Sequence, residues 1–257
     1  MLLTIDVGNT NITVGVIEEQ DVKASFRLTT SDQKTSDELG MSLVNFLNLK
    51  SIHPSEIDGA VISCVVPKIM YSLNNAIRKY FNLSPLVIGP GIKTGIKIKT
   101  ENPKEVGADR LVNVAACHEI YHKNCLVIDF GTATTFDYIS SDGTFEYTVI
   151  TPGIQIAANA LVSNAAKLPE IEIKKPHSIL AKNTIVGMQA GLVYGYIGQV
   201  EYIVKKMREE ISEDFLVVAT GGLGRIIYEY TDCIDIYEPN IAYIGMEIIY
   251  KKNSNLS

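Results

Sequence analysis

Two short segments of the sequence combine a carboxylate with glycine and with hydroxyl- or amide-bearing residues. They are Asp6-Val7-Gly8-Asn9-Thr10-Asn11 and Asp129-Phe130-Gly131-Thr132-Ala133-Thr134-Thr135. In each, the acid ends an apolar, β-branched run, where a carboxylate needs a counter-charge such as Mg²⁺. The glycine lets the backbone approach an anion, and the residues after it can donate hydrogen bonds to phosphate oxygens. Both segments are therefore candidate phosphate sites.

The two segments also form an internal repeat, about half the chain length apart. After each Asp-x-Gly the chain resumes as a predicted second strand, at Ile12–Ile17 in one copy and Thr134–Ile139 in the other. One such turn is equally compatible with an ordinary β-hairpin. Hairpins do not require a repeated acid at the strand end, so the repetition favours two turns that face each other around one triphosphate.

A third candidate is the glycine-rich segment Thr220-Gly221-Gly222-Leu223-Gly224. It follows a predicted strand, Phe215–Ala219, and precedes a helix predicted to open at Arg225. Bare backbone and a helix N-terminus suit a flat or anionic ligand, here the base and ribose of a nucleotide. A simple strand-to-helix turn remains an alternative for this segment.

The elements around these motifs alternate between short strands and helices. The patterns predict a buried strand at 60–66, a helix over 68–81, a strand at 86–88 and a long helix from Thr184 to about residue 211. The expected fold is α/β: two related domains, each a mixed sheet flanked by helices. They are predicted to span residues 1–115 and 116–257, with a boundary inside a helical crossover near residues 112–125.

Composition narrows the classes of partner. The 257-residue chain is 46% hydrophobic, has a formal charge of −6 and contains no long basic cluster, which argues against nucleic acid or an anionic membrane surface. The first residues lack a basic region, and no stretch approaches eighteen apolar residues. The four cysteines form no Cys-x-x-Cys pair. We therefore expect a cytoplasmic protein that acts on a small molecule.

The order of the motifs, two Asp-x-Gly turns followed by a Gly-Gly turn, resembles the actin-like (ribonuclease H-like) ATPase and sugar-kinase superfamily. The chain is similar in particular to the type III pantothenate kinases, from residue 1 to about residue 250. This resemblance rests on the following segments: Asp6 to Asn11, Glu105-Val106-Gly107-Ala108-Asp109-Arg110, Asp129 to Thr135, and Asn183-Thr184 with Gly187-Met188-Gln189-Ala190-Gly191. The Gly-Ala-Asp-Arg element is the most specific, since general sugar kinases lack it in this setting.

The resemblance implies that the chain phosphorylates the terminal hydroxyl of pantothenate with ATP, giving 4'-phosphopantothenate, the first step of coenzyme A biosynthesis. It implies Asp109 as general base, Mg²⁺ near Asp6, and K⁺ or NH₄⁺ at Asp129. Pantothenate would be contacted by Gly107, Ala108, Asp109, Arg110 and Thr184, and by Thr100, which stands where many relatives carry an aromatic residue. ATP would be contacted by Asp6, Val7, Gly8, Asn9, Thr10, Asn11, Ile12, Thr13, Thr132, Gly221 and Gly222.

Small residues recur every three or four positions along the predicted long helix, so a partner element can approach that face closely. The residues are Gly187, Ala190, Gly191, Gly195 and Gly198. Together with the resemblance, this pattern predicts a homodimer whose pockets are completed across the interface. Burial of the face within one subunit is the alternative.

Three other functions remain compatible with the sequence. The chain can be a kinase of the same superfamily with another hydroxyl acceptor, since a fold does not fix its substrate. It can instead be a nucleotide-binding regulator without turnover, or a structural protein without ATP dependence. The pair Asp109-Arg110 favours pantothenate over other acceptors, and the three acids at 6, 109 and 129 favour an enzyme.

One segment, His118-Glu119-Ile120-Tyr121-His122, matches the His-Glu-x-x-His pattern of zinc proteases. No third histidine follows at the expected spacing, and Lys123-Asn124 is predicted to end the helix at once. The segment also leads directly into the second Asp-x-Gly turn. A solvated helix end is therefore favoured over a zinc site.

Overall fold

The computed structural model describes residues 1–254, which form two compact units. Unit 1 contains Met1–Ile120 and the described residues from Asn240 onward, and unit 2 contains Tyr121–Pro239. The sequence pattern predicts one boundary, at 115/116, whereas the chain passes between units near 120 and again near 240. The difference arises because the last helix packs on the first sheet, a long-range contact that no local pattern reveals.

Strands and helices are interspersed along the chain. The strands are β1 (Leu2–Val7), β2 (Asn11–Glu18), β3 (Asp21–Thr29), β4 (Gly59–Cys64), β5 (Leu86–Val87), β6 (Lys97–Ile98), β7 (Cys125–Phe130), β8 (Ala133–Ile139), β9 (Thr144–Pro152), β10 (Leu216–Thr220) and β11 (Ile236–Tyr237). The helices are α1 (Ser36–Leu49), α2 (Met70–Phe81), α3 (Ala108–Tyr121), α4 (Ile154–Asn164), α5 (Thr184–Glu210), α6 (Gly224–Tyr228) and α7 (Ile241–Ser254).

The sheet of unit 1 has the order β3-β2-β1-β4-β5. Strand β1 pairs antiparallel with β2 and parallel with β4, so the sheet is mixed. Leu3, Ile5 and Val7 of β1 are fully buried in a core that includes residues of α1 and α2. Because side chains alternate along a strand, Thr4 and Asp6 lie on the opposite face, which α7 covers in part.

The sheet of unit 2 repeats this arrangement, with β9, β8, β7, β10 and β11 in consecutive positions. Strand β7 pairs antiparallel with β8 and parallel with β10, as β1 does with β2 and β4. A separate core packs its strands against α4 and α5. The prediction of two related α/β units, each with a mixed sheet and flanking helices, is confirmed.

Most predicted elements are present with shifted ends. Strand β4 stops at Cys64 rather than 66, and α2 begins at Met70 because Pro67–Ile69 forms a turn of 3₁₀-helix first. The long helix α5 begins at Thr184, as predicted, and ends at Glu210. Within residues 1–254, no helix has the length and apolar character needed to cross a membrane.

Candidate active site

The first Asp-x-Gly turn joins β1 to β2 and is braced by the end of β3. The backbone N–H of Gly8 donates to the carbonyl of Asn11 (3.0 Å). Thr30 fixes the turn from outside, since its N–H donates to Thr10 O (3.0 Å) and its hydroxyl donates to Gly8 O (2.7 Å). The backbone of the turn is thus held in place by Thr30 and by its own hydrogen bond, while residues 9–11 are exposed.

The residues flanking this turn differ in what they can offer a ligand. Val7 and Ile12 are buried in the core of unit 1, so only their backbone is available. Asn9, Thr10 and Asn11 are exposed, and Asp6 is half-buried at the end of β1. The turn therefore combines one sheltered carboxylate with a short run of accessible amides and a hydroxyl.

Asp6 belongs to a row of polar residues that crosses four neighbouring strands. Its register partners are Thr13 on β2 and Ser63 on β4, and Thr13 is in turn paired with Arg27 on β3. Residues paired in register point to the same face. The hydroxyl of Ser63 is fully buried and lacks a hydrogen-bond partner among residues 1–254. Motif-based reasoning missed Ser63 and Arg27, because only the register reveals them.

The Gly-Ala-Asp-Arg segment forms the start of α3. Asp109 lies in its first turn, where Asp109 Oδ1 accepts a hydrogen bond from the N–H of Arg110 (2.9 Å). A Cβ atom added to Gly107 would lie 2.4 Å from that same oxygen. A side chain at 107 would therefore displace the carboxylate from this position. A negative charge is also favoured at a helix N-terminus.

This segment lies close to the first Asp-x-Gly turn. The N–H of Val65 donates to Val7 O (3.0 Å), one residue after Asp6. The Val65 side chain is in turn 3.5 Å from the position of a Cβ on Gly107. Val65 thus lies between the loop that carries Asp109, the predicted base, and the turn that carries Asp6, the predicted magnesium ligand.

Cys64 is the only thiol next to this group of residues in the described part of the chain. Burial is the main cause that raises the pKa of its thiol, and the negative charge of Asp6 raises it further. The sulfur also takes part in hydrogen bonds with the backbone of Val66 (3.3 Å each). Cys64 therefore stays protonated and is unsuited to act as a nucleophile.

The second Asp-x-Gly turn joins β7 to β8 in unit 2, and the structure separates its three threonines. Thr132 is exposed in the turn, whereas Thr134 is buried with a hydroxyl that has no partner among the described residues. The hydroxyl of Thr135 donates to buried Asp137 (3.2 Å). Of the three hydroxyls, only that of Thr132 is presented to solvent at the turn.

The row beside Asp129 has the same layout as the row beside Asp6. Asp129 pairs with Thr135 on β8 and with Thr220 on β10. Thr135 continues the row to Ile150 on β9, which is 58% exposed. The repeat seen in the sequence is therefore a repeat of side-chain positions.

The glycine-rich turn after β10 packs directly on the second Asp-x-Gly strand. Gly221 has a left-handed backbone (φ 92°), and a Cβ on it would lie 2.6 Å from Phe130 O. The hydroxyl of Tyr237 donates to Gly221 O (2.9 Å). Gly222 is exposed, and α6 behind it has only five residues. The turn thus offers backbone groups rather than a long helix N-terminus.

Two further residues predicted to contact substrate have suitable local settings. Thr184 is exposed at the first position of α5, whose N-cap Asn183 accepts from Val186 N–H (2.9 Å). The hydroxyl of Thr100, which follows β6, is shielded from solvent and lacks a partner among residues 1–254. A shielded hydroxyl of this kind gains from any ligand that bonds it.

Two open depressions of about 560 and 540 Å³ lie elsewhere in unit 2 and contain none of the predicted site residues. Glu201 and Asp232 line both of them. Four carboxylates line the second depression against two cations, Lys205 and Arg208, and the first has acidic residues without a lysine or arginine, so both are unfavourable for a triphosphate. We therefore do not place the nucleotide there.

The His-Glu-x-x-His segment does not present its two histidines on one helix. Helix α3 ends at Tyr121, and His122 has a left-handed backbone (φ 50°). Glu119 forms an ion pair with Lys252 (2.9 Å). The residues between 118 and 122 therefore form the end of a helix, with the central acid engaged by α7.

The glycine face of α5 is open in the described structure. Gly191, Gly195 and Gly198 are exposed, and a Cβ on any of them would meet no atom within 4 Å. Tyr202, further along the helix, is 61% exposed. Unit 2 therefore leaves this face of α5 uncovered.

Comparisons with known proteins agree with the resemblance noted in the sequence. A family model described as type III pantothenate kinase matches residues 2–206. A curated protein from Agathobacter rectalis, named type III pantothenate kinase, is 52% identical over 255 residues, covering 99% of this chain and 98% of that protein.

Two solved structures share the fold at low identity. One, a Baf family transcriptional activator from Campylobacter jejuni, has a TM-score of 0.59 at 20% identity, covering 99% of this chain and 100% of that one. The other, a 2-dehydro-3-deoxygalactonokinase from Sinorhizobium meliloti, has a TM-score of 0.59 at 12% identity, covering 100% and 98%. This chain therefore shares its fold with both of these proteins.

Proposed function

Because the chain belongs to the type III pantothenate kinase family, we propose that Asp109 is the general base of its reaction. The enzyme transfers a phosphoryl group from ATP to an alcohol group of pantothenate, a reaction of coenzyme A biosynthesis. A base for this reaction must be a carboxylate that reaches the substrate hydroxyl. The observation that carries the proposal is the folded-back Asp109 carboxylate, next to the Asp6 turn through Val65.

We assign pantothenate to the loop that carries this base. Gly107 and Ala108 supply close backbone, and Arg110 supplies a cation suited to the substrate carboxylate. Thr100 supports the assignment through its shielded hydroxyl, and Thr184 through its exposure at a capped helix start.

ATP is assigned to residues of both units. In unit 1 it is bound by Asp6 to Thr13, mainly through the accessible amides of the turn. In unit 2 it is bound by the exposed hydroxyl of Thr132 and the backbone of Gly221 and Gly222. These residues bind and align the triphosphate, and alignment is the larger part of catalysis in phosphoryl transfer.

The cations are assigned to the two acids. Asp6 suits Mg²⁺, because a sheltered carboxylate with the hydroxyls of Thr13 and Ser63 beside it can hold a hydrated divalent ion. Asp129, beside Thr135, is assigned to K⁺ or NH₄⁺. When bound, Mg²⁺ neutralises phosphate charge.

The proposal includes a homodimer formed through the uncovered face of α5. The open positions at Gly191, Gly195 and Gly198 let a second helix approach closely. It also includes a cytoplasmic location, since all four cysteines are free.

The test is an assay of purified protein with ATP, Mg²⁺ and K⁺, in which ADP and phosphorylated product are measured for pantothenate and for a panel of sugars. Among the acceptors, we expect only pantothenate to give product. The rate of product formation should fall when K⁺ is replaced by Na⁺. Product with a sugar but not with pantothenate would contradict the substrate assignment. ATP binding without any product would instead indicate a regulator.

A further inference from the structure

Arg27 is an exposed cation at the outer end of the polar row that contains Asp6. Its register partner is Thr13, whose other partner is Asp6, so all three side chains point to one face. The irregularity in the β2–β3 pairing falls at Val16 and Ile17, away from these residues. Arg27 has no ion-pair partner among residues 1–254. Its charge is available to a ligand.

The distance suits a ligand bound at the Asp6 turn. Neighbouring strands are about 4.8 Å apart, so the Cα atoms of Arg27 and Asp6, two strands away, are separated by about 10 Å. A long arginine side chain spans part of that gap, and a phosphate group spans the rest. The residue also lies near the open end of the hairpin, two positions before Thr29, which pairs with Asn11 of the turn.

A buried phenol lies close to both charges. Burial is the main cause that raises the pKa of Tyr243; the positive charge of Arg27 lowers that pKa, and the negative charge of Asp6 raises it. The side chains of Ser25 and Thr13 form hydrogen bonds with the same tyrosine. Tyr243 thus forms a floor under the row, while Arg27 itself is exposed.

The internal repeat supplies a comparison for this position. In unit 2 the equivalent row runs from Asp129 through Thr135 to Ile150, an exposed apolar residue. The outer position is therefore not required to be cationic by the fold, since the same sheet accepts isoleucine there.

We propose that Arg27 binds the terminal phosphates of ATP, from the side of the Asp6 turn opposite Ser63. A planar guanidinium offers paired N–H donors that match phosphate oxygens. Arg27 would hold the β- and γ-phosphates, whereas the adenosine end would not depend on it. This inference rests on the proposed binding of ATP at the Asp6 turn.

Steady-state kinetics and binding of Mg²⁺ with a non-hydrolysable ATP analogue test the proposal in Arg27→Ala, Arg27→Gln and Arg27→Lys. Loss of a charge-assisted hydrogen bond predicts a rise of about tenfold in KM for ATP with Ala and Gln, and a smaller rise with Lys. Inhibition by ADP should weaken by a similar factor, while inhibition by AMP and KM for pantothenate change less than about twofold.

Lys23→Ala is the matched control, because Lys23 is an exposed cation on the same strand, near its other end, and is paired with Asp21 (2.7 Å). This control should leave KM for ATP unchanged. An unchanged KM in folded Arg27→Ala, equal weakening of AMP, or the same loss in Lys23→Ala would overturn the proposal. Analogue binding is measured without an acceptor, so its result stands even if pantothenate is not the substrate.

Discussion

The two Asp-x-Gly regions share a sheet order and a row of paired positions, yet they differ in what surrounds the acid. In unit 1, four residues, Gly8–Asn11, separate the last paired residues of the hairpin. In unit 2 three residues, Gly131–Ala133, do so. The longer turn exposes amide side chains, and the shorter one exposes a single hydroxyl. The two regions therefore share the same strand arrangement but present different side chains to a ligand.

A second difference lies two residues after the threonine that pairs with the acid, which is Thr13 on β2 in unit 1 and Thr135 on β8 in unit 2. In unit 1 this position is Gly15, which leaves room for the ring of Tyr243 from α7. In unit 2 it is Asp137, which is buried and accepts hydrogen bonds from Thr135 (3.2 Å) and Thr148 (2.9 Å). Unit 1 thus supports its row with an aromatic floor, and unit 2 with a buried carboxylate.

The largest expected effect follows from the proposed base, Asp109, at the start of α3. Asp109→Asn should lower kcat by about 10²- to 10⁴-fold, because the amide cannot accept the substrate proton. Glu105→Gln, a nearby exposed carboxylate that accepts from Asn102 (2.6 Å), is the control and should keep nearly full rate. Steady-state rates with unchanged thermal unfolding check this, and substantial turnover in Asp109→Asn would exclude it as the base.

The next effect concerns the glycine turn of unit 2. Gly221→Ala should lower the free energy of unfolding by about 3 kcal/mol or more, since it adds left-handed strain to a clash with Phe130. Gly91→Ala is matched in backbone (φ 91°) but meets no atom within 4 Å, and should cost about 1 kcal/mol. Denaturant unfolding measures both. Equal losses would show that packing on Phe130 is unimportant.

A smaller effect on stability distinguishes the buried carboxylate of unit 2, Asp137, from the aromatic floor of unit 1, Tyr243. Thr148→Val should cost about 1–2 kcal/mol of unfolding free energy, because buried Asp137 loses a donor. Ser25→Ala changes the equivalent position of unit 1, where the side chain is exposed, and should cost less than about 0.5 kcal/mol. If Ser25→Ala were the more damaging change, the aromatic floor would depend on that hydroxyl.

The smallest effect on stability is expected at Ser63. Its buried hydroxyl has no partner in the described structure, so Ser63→Ala should leave the free energy of unfolding unchanged or raise it by up to about 1 kcal/mol. The same change should weaken activation by Mg²⁺, if the hydroxyl serves the ion beside Asp6. A clear loss of stability would show instead that Ser63 bonds within the fold.

Local signals predicted much of this architecture. Apolar runs ending in Asp-x-Gly located both hairpins, and the helical pattern from Thr184 located the start of α5. Helix α1, to which the pattern assigned no element, also carries a local signal, a capping box between Thr35 and Glu38. Elements of this kind depend on neighbours within a few residues.

The remaining features depend on contacts between distant residues. The register that aligns Arg27 and Ser63 with Asp6 runs over three successive strands, β3 to β1, and on to β4, which follows more than 30 residues after Arg27. The return of α7 to unit 1 joins the two ends of the sequence. The hydroxyl residues after Gly131 indicated a phosphate site in the sequence. Only the alternation of side chains along β8 shows that one of them, Thr134, is buried in the structure.

The most direct test of the divergence between the two regions is a pair of cation titrations with Asp6→Asn and Asp129→Asn. Initial rates would be measured against Mg²⁺ at saturating K⁺, and against K⁺ at saturating Mg²⁺. We predict that Asp6→Asn raises the Mg²⁺ concentration needed for half-maximal rate and leaves the K⁺ requirement unchanged. Asp129→Asn should do the reverse. If both substitutions shifted the requirement for the same cation, the two acids would share one site, and the assignment of separate cations would be wrong.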